Sequence, residues 1–337
     1  MKVITPTITI ITSLLFGILS MASNSHAAHH GEKHGENPAD KQKLTALIID
    51  GQNNHHVWPK STVMMKGYLE NTGLFKVAVY RTKPTWRGEK FPEYYQQHSD
   101  TSQFDVKKPA KDASFAPKFS DYDVVISNFG HNTAAWPRAT QKAFEDYMKN
   151  GGGFVSVHAA DNAFGNWAEY NKMIGVGGWG GRNEKSGPHF YYNDNGKLVR
   201  DTSKGKAGTH GKRHELTITK RNDHPIMAGL PDVWLHAEDE CYGNLRGPGE
   251  NMVIIATAHC PKKQKGTGNN EPALMTISYG KGKIFHTTLG HDFLAFSSVG
   301  FITTLQRGAE WVAIGKVTQK VPADFPSVAQ SSVRKFK

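Results

Sequence analysis

Polar side chains follow the strand-like run Phe154–Val157, where a doubly wound sheet would present its ligand-binding edge. The chain continues there as His158-Ala159-Ala160-Asp161-Asn162, after a Gly151-Gly152-Gly153 turn. Open parallel sheets bind ligands outside the carboxyl ends of their strands, because loops and helix N-termini converge there. His158 lies where a nucleophile-elbow enzyme carries Cys or Ser, which favours a general base or metal ligand over a nucleophile. We expect Asp161 to orient His158 and Asn162 to contact substrate; the alternative is an imidazole that only bonds backbone beneath the sheet.

Amides and imidazoles also follow the first predicted strand, in Gly51-Gln52-Asn53-Asn54-His55-His56-Val57-Trp58. Gln52, Asn54 and His55 offer donors and acceptors suited to sugar hydroxyls, and Trp58 is predicted to stack on a pyranose face. The alternative is a turn in which Asn side chains bond their own backbone. Three consecutive amides with two imidazoles exceed what a turn needs, so this segment is predicted to bind substrate.

Carboxylates crowd beside a histidine in a third segment, Trp234–Tyr242, where His236 precedes Asp239 and Glu240. Mutual repulsion would raise a carboxyl pKa, or a cation would settle among them, so Glu240 is a candidate acid and Asp239 and His236 are candidate substrate contacts. An acidic surface is the alternative.

A fourth segment, Gly290-His291-Asp292, again places histidine beside aspartate, and both side chains are candidate substrate contacts. Spacing alone does not establish that the four segments meet in one pocket. The histidines at 55, 158, 236 and 291 form no His-x-x-x-His pair, so the cofactor stays unknown and a divalent metal is only the minority alternative.

The glycine-rich run Gly177–Arg182 lacks the Lys-Ser/Thr of a phosphate-binding loop, which argues against nucleotide binding. Trp179 and Arg182 within it are predicted to cover the substrate as a lid. The chain contains no Gly-x-Ser-x-Gly, which argues against an α/β serine hydrolase.

These segments are positioned by alternating strands and helices, which predict an α/β fold with a doubly wound, mostly parallel sheet, insertions and an antiparallel extension. Polar, Gly- and Pro-punctuated insertions are predicted at 81–118 and 175–213. The predicted strands are 44–50, 75–80, 122–127, 154–157, 215–219, 253–257, 274–279 and 283–287, and the predicted helices are 60–71, 137–149, 166–174 and 299–313.

The N-terminus reads as a signal peptide over residues 1–27, with Lys2, an apolar run and Ser25-His26-Ala27 before Ala28. A flexible His-rich linker over 28–42, one domain over 43–316 and a basic tail over 317–337 complete the predicted organisation. The apolar run is short for a membrane span, so we expect no stable membrane insertion and a periplasmic or secreted protein.

The 337 residues carry a formal net charge of +11, but the basic residues are scattered and no nucleic-acid module appears, so nucleic acid is not an expected partner. The two cysteines, Cys241 and Cys260, either pair in an oxidising compartment or stay as buried thiols. The oligomeric state is left open.

Several of these runs together resemble the ThuA-like (trehalose utilisation) family of the class I glutamine amidotransferase-like superfamily. The similar runs are Gly51–His55, Gly151–Phe164 with Trp167 and Tyr170-Asn171, Gly177–Arg182, His224-Pro225-Ile226, Trp234–Tyr242, Glu271-Pro272 and Tyr279–Asp292. The resemblance covers about residues 44–315 and implies a flavodoxin-like sheet and a role near oxidised (3-keto) disaccharides. The amidotransferases of the superfamily carry a nucleophilic Cys at the elbow, which His158 replaces, so glutaminase activity lacks its nucleophile.

The leading hypothesis is an exported carbohydrate-processing enzyme that acts on a sugar or keto-glycoside by hydrolysis or by proton abstraction and elimination. In it, His158, Asp161 and Glu240 are the catalytic candidates, and the partner is a small-molecule carbohydrate. The alternative is a non-catalytic sugar-binding protein that uses the same sheet crevice.

Overall fold

A twelve-stranded sheet organises the domain, and a second, separate sheet has two strands. The structure, a computed structural model, describes residues 1–2 and 43–336, so the predicted signal peptide and linker lie almost wholly outside the described residues. The strands are β1 (Leu44–Gln52), β2 (Phe75–Trp86), β3 (Phe104–Val106), β4 (Val124–Ser127), β5 (Gly153–Val157), β6 (His189–Tyr192), β7 (Leu198–Asp201), β8 (Thr209–His210), β9 (His214–Lys220), β10 (Val233–Asp239), β11 (Tyr242–Gly243), β12 (Met252–His259), β13 (Asn270–Tyr279) and β14 (Gly282–Thr287). The helices are α1 (Trp58–Glu70), α2 (Pro92–Tyr95), α3 (Arg138–Lys149), α4 (Ala168–Ile174), α5 (Phe293–Ser297) and α6 (Val299–Ile314).

The parallel part of the sheet has the order β14-β5-β4-β1-β2-β3. Its five long members reproduce the flavodoxin-type order, with the first strand between the second and the third, as the resemblance implied. Alternate residues of β1 face opposite sides: Ala46 and Ile48 pack with α1 and α6, whereas Leu47 and Ile49 pack with α3 and α4. Burial on both faces explains why β1 reads as a continuous apolar run.

Four antiparallel steps extend the sheet in the order β14-β13-β12-β9-β10. Because the number of steps is even, β10 runs in the same direction as the parallel strands. The antiparallel extension is confirmed. The sequence did not identify β10 as a strand, because Trp234–Tyr242 reads only as an acidic segment.

The predicted insertions contain more structure than their composition indicated. β2 continues to Trp86, and the segment 175–213 holds the β6–β7 hairpin, which pairs with β13 at Tyr192 and Asn270. The short β8 pairs with β11 in the second sheet.

A disulfide joins Cys241 to Cys260, which settles the alternative that the sequence left open. Residues 317–336 lie along the domain: Leu235 N donates to Ser327 O, and the Phe336 ring contacts Tyr68. Within residues 1–2 and 43–336, none of the helices combines the length and the apolar character needed to cross a membrane.

Candidate functional site

The candidate site lies at the carboxyl-terminal edge of the sheet, where the loops after β1, β4, β5, β10 and β14 meet. In the sheet, three strands, β13, β12 and β9, separate β14 from β10. Even so, the Asp239 carboxylate at the end of β10 accepts a hydrogen bond of 2.8 Å from Gly290 N, just after β14. The loops of distant strands are therefore drawn together at this edge.

His158 occupies the sharp turn after β5. Its φ of +45° is left-handed, and a short 3₁₀ turn, His158–Asn162, follows. A non-glycine residue at positive φ costs about 1–3 kcal/mol and is retained only where the surroundings fix it. Nδ1 of His158 lies 2.6 Å from the Thr288 carbonyl oxygen. A carbonyl only accepts, so Nδ1 carries the proton and the lone pair is on Nε2, which has no hydrogen-bond partner among the described residues.

Two further imidazoles surround His158. The ring of His55 lies 4.9 Å from that of His158 and 4.7 Å from that of His291, centroid to centroid. Burial lowers the pKa of His158 to about 4, and burial together with His158 and His291 lowers the pKa of His55 to about 2. Both rings are therefore neutral at neutral pH and present lone pairs rather than charges.

Asp239 is a buried hydrogen-bonding centre for the loops after β10 and β14. Its carboxylate accepts from the backbone N–H groups of Glu240, Gly290 and His291 and contacts His236 Nε2 at 3.1 Å. Burial by itself would raise the pKa of Asp239, but these contacts, led by that with His236, lower it to about 2. Asp239 and His236 thus position their neighbours and do not line the cavity, which corrects their prediction as substrate contacts.

Glu240 extends from this centre toward the cavity, and 12% of its side chain is exposed. Its Oε1 lies 3.2 Å from His291 Nε2 and 3.5 Å from His210 Nδ1. Burial raises the pKa of Glu240 above its ordinary value, against the opposing effect of His291. A half-desolvated carboxylate among imidazoles is suited to proton transfer or to binding a cation.

The cavity has a volume of about 320 Å³, at the lower end of small-molecule sites; His55, Glu240 and His291 line it, and His158 lies behind them. Trp179 and Tyr242 form an aromatic corner with ring centroids 5.0 Å apart, and the buried Asn162 Oδ1 has no partner within the described part of the chain. None of the lining residues, all of them described, is Cys, Ser or Thr. The lining residues are Asn54, His55, His56, Val57, His131, Asn162, Trp179, His210, Glu240, Tyr242 and His291.

Gln52 and Trp58 do not face this cavity, contrary to prediction. The Gln52 amide donates to Pro84 O and Ala110 O and accepts from Ala134 N, so both its nitrogen and its oxygen are hydrogen-bonded to backbone groups. Trp58 is fully buried at the start of α1 and donates to Trp86 O. It therefore does not stack on a ligand.

Asp161 does not orient His158, contrary to prediction. It is fully buried, and its Oδ2 lies 3.3 Å from His286 Nε2. The group that orients His158 is the Thr288 carbonyl, which no side-chain pattern in the sequence identifies.

Arg182 and Asp292 are structural as well. Arg182 is 3% exposed and donates to Asn171 Oδ1, Gly178 O and Ala163 O, so it fixes the loop that carries Trp179 rather than closing as a lid. Asp292 caps α5 through Leu294 N and Ala295 N and pairs with Arg213 at 2.6 Å.

Asn54 has both of the roles that the sequence left open, a hydrogen bond to backbone and a place at the cavity. Its Oδ1 accepts from His131 N at 2.8 Å, while the residue also lines the cavity. The neighbouring Asn53 forms the turn of the alternative interpretation, because its Oδ1 accepts from His55 N.

Sequence reasoning missed the contributions of His131, His210 and Tyr242 to the cavity lining. His131 follows β4, so its position after a predicted strand was a usable signal. His210 was assigned to a loop, and nothing local in the sequence indicates that β8 pairs with β11 and brings it to Tyr242.

Comparison with known proteins agrees with this architecture. The sequence profile of the family described as ThuA, trehalose utilisation, matches residues 76–312. The chain belongs to the ThuA family. The family description places this ThuA-family chain in carbohydrate metabolism. None of the curated proteins compared with it matches.

Solved structures give the same relationship. A ThuA-like protein from Parabacteroides merdae is 42% identical with a TM-score of 0.76, over 87% of this chain and 98% of that one. A second ThuA-like protein, from Bacteroides uniformis, is 21% identical with a TM-score of 0.51, over 84% and 97% of the two chains, and shows the shared fold alone.

Proposed function

We propose that this ThuA-family protein is an exported enzyme that acts on a sugar or keto-glycoside, by proton abstraction with elimination or by hydrolysis. The observation that carries the proposal is the Nε2 of His158, which has no partner among residues 1–2 and 43–336 and is held at a strained turn. It lies behind a cavity that imidazoles and amides line and that lacks Cys, Ser and Thr. A strained turn reduces the stability of the folded protein, and such turns occur most often at functional sites.

The chemistry of the cavity wall supports a carbohydrate. Asn54 and Asn162 supply amide groups for hydroxyls, and the rings of Trp179 and Tyr242 supply apolar faces. The relation of the family to trehalose utilisation adds independent support for a sugar.

The choice of reaction rests on the residue types at the cavity. The cavity wall lacks Cys, Ser and Thr, the usual thiol and aliphatic hydroxyl nucleophiles, whereas Glu240 and His291 form a contacting pair able to move a proton. In a glycoside oxidised at C3, removal of the C2 proton leaves its electron pair as an enolate. Collapse of that enolate breaks the C1–O bond, and the leaving oxygen takes up a proton. An oxidised disaccharide is therefore the substrate class that needs no nucleophile.

The test is to incubate the purified protein with oxidised and unoxidised disaccharides and follow the products by chromatography. We expect turnover of the oxidised sugar and a fall of at least about 100-fold in kcat/KM for His158→Ala, as is usual when a group at the reacting centre is removed.

His98→Ala is the control, because it removes an imidazole that lies outside the cavity and is only partly buried. Its activity should stay near that of the wild type. Saturable sugar binding without any turnover by the wild type would contradict the enzyme proposal and indicate a sugar-binding protein instead.

A further inference from the structure

Three side chains from three different strand ends place potential ligand atoms close together. His55 follows β1, His158 follows β5 and Glu240 follows β10, and each offers one nitrogen or oxygen that lies within 4.8 Å of the other two. Residues so far apart in the sequence meet only because the loops converge at one edge of the sheet. Atoms that share one metal ion at about 2 Å lie at most about 4 Å apart, so small side-chain rotations that draw the three atoms inward would complete the site.

The state of His158 is that of a ligand rather than of a packed core histidine. His158 is 3% exposed, yet its Nε2 lone pair has no partner in the described residues, and a buried polar atom without a hydrogen bond is destabilising. Metal-binding histidines usually donate their second N–H to a carbonyl or carboxylate, which fixes the tautomer. The contact of His158 Nδ1 with Thr288 O is an arrangement of this kind.

Glu240 is supported in the same way by groups around it. Asp239 fixes its backbone N–H at 2.8 Å, and His291 contacts its Oε1 at 3.2 Å. Ligands oriented by outer hydrogen bonds bind metals more tightly than free ones, typically about 10- to 100-fold.

Charge balance also favours a cation at this position. Asp239 is fully buried behind Glu240, so two carboxylates face a group of imidazoles. Arg213 lies nearby, but it forms its ion pairs with Glu238 at 3.5 Å and Asp292 at 2.6 Å and not with Glu240 or Asp239.

We propose that His55, His158 and Glu240 bind one divalent transition-metal ion, with Zn²⁺ the ion best suited to two nitrogen ligands and one carboxylate. Three protein ligands would leave a coordination position open, as in catalytic rather than structural zinc sites, and two of the three, His55 and Glu240, line the cavity. A metal there would polarise the carbonyl oxygen of a keto-sugar and stabilise the enolate. This catalytic use rests on the proposed function, whereas metal binding itself does not.

The test measures binding without any sugar. The full chain, produced without an affinity tag and stripped with a chelator, is titrated with ZnCl₂ by calorimetry, and Co²⁺ is added separately to record the visible absorption of its coordination sphere. We expect about one tight Zn²⁺ per chain. His158→Ala and the nearly isosteric Glu240→Gln should each bind at least about 10-fold more weakly and lose the Co²⁺ bands.

One control addresses the other histidines of the chain. The triple substitution His29→Ala, His30→Ala, His34→Ala removes the imidazoles of the predicted linker, residues 28–42, and should leave the tight site unchanged. Thermal unfolding of each variant shows whether it folds, and Glu240→Gln keeps the test decisive if His158→Ala does not.

Equal affinity of the wild type and Glu240→Gln, or loss of the tight site in the triple variant, would refute the metal site. Tight metal binding together with no turnover of any oxidised disaccharide would leave the metal site standing and refute the proposed reaction.

Discussion

Each of the three imidazoles at the site is positioned by a different partner. His158 is held by Nδ1 at Thr288 O, His55 by its backbone N–H at Asn53 Oδ1, and His291 by its backbone N–H at Asp239 Oδ1. The contact of His158 leaves its Nε2 without a partner among the described residues, so this nitrogen remains available for a ligand.

At the same scale, Asp161 and His286 form a fully buried pair beneath the site that the proposed chemistry does not use. His286 Nδ1 lies 2.8 Å from Ile174 O and must donate to it, so a neutral His286 presents a lone pair on Nε2 toward Asp161. Burial raises the pKa of Asp161 above 3.8.

We predict that Asp161→Asn stabilises the protein at neutral pH by about 1 kcal/mol, because Asn cannot ionise and its Nδ2 can donate to His286 Nε2. A carboxyl pKa raised on folding gives stability that is complete below the unfolded pKa and is lost as the pH rises through the folded one. The Tm advantage of Asp161→Asn should therefore grow in calorimetric scans as the pH rises above about 4, the ordinary pKa of an aspartate.

The exposed Asp324 is the control with the opposite sign. Its hydrogen bond with Arg334 lowers its pKa, so Asp324→Asn should lose stability relative to the wild type as the pH rises. An advantage of Asp161→Asn that shrinks with rising pH would contradict this account.

The sequence shows which residue types are present but not which way they point. It placed polar residues correctly after β1, β5 and β14, because their runs of apolar residues end abruptly there. It gave no means of separating Glu240, which reaches the cavity, from Gln52 and Arg182, whose polar atoms are used by backbone carbonyls and amides in other loops.

At the scale of elements, the aromatic wall depends on one glycine next to β8. Gly208 has φ +87°, and a Cβ atom at this position would lie 2.6 Å from Cδ2 of Trp179 and 2.7 Å from its backbone N. Trp179 can therefore pack against Tyr242 only while residue 208 lacks a side chain.

We predict that Gly208→Ala displaces Trp179 and weakens sugar binding by about 10-fold, the value of one lost aromatic contact of about 1.4 kcal/mol. Equilibrium titration with the oxidised disaccharide, with His158→Ala added to both proteins to suppress turnover, measures the change.

Gly196→Ala is the matched control, because Gly196 also has positive φ, +70°, but a Cβ there meets nothing within 4 Å. Gly196→Ala should introduce similar backbone strain without changing the affinity for the sugar. Equal affinities of the two variants would show that Trp179 does not contact the sugar.

The elements themselves were largely predictable, since long apolar runs and helix-period patterns gave the parallel strands and α1, α3 and α6 to within a few residues. β10 was not, because its buried positions include His236 and Asp239, and a polar residue that is buried by hydrogen bonding looks exposed in a sequence. The convergence of β10 with β14 depends on long-range contacts such as Asp239 with Gly290.

At the scale of the whole molecule, the disulfide and the predicted signal peptide support the same compartment. Cys241 and Cys260 are 19 residues apart, and closing such a loop contributes about 3 kcal/mol when the bond can form. Structural disulfides persist mainly outside the reducing cytosol.

We predict that the chain expressed with its own N-terminus in a bacterial host is recovered outside the cytosol and starts at Ala28. Its intact mass should rise on alkylation only after reduction, by two alkyl groups per chain. A cytosolic product that retains Met1, or thiols that react without reduction, would contradict export into an oxidising compartment.

The Asp239 carboxylate ties Glu240, Gly290 and His291 into one unit, so that side of the cavity moves as a single block. At the edge of this unit lies His210, which is about half exposed on a two-residue strand and has its Nδ1 3.5 Å from Glu240 Oε1. Adaptation to differently shaped glycosides is therefore expected near His210, where the cavity wall is exposed. The reacting end of a ligand should accordingly be recognised strictly, while variation in its leaving group is tolerated.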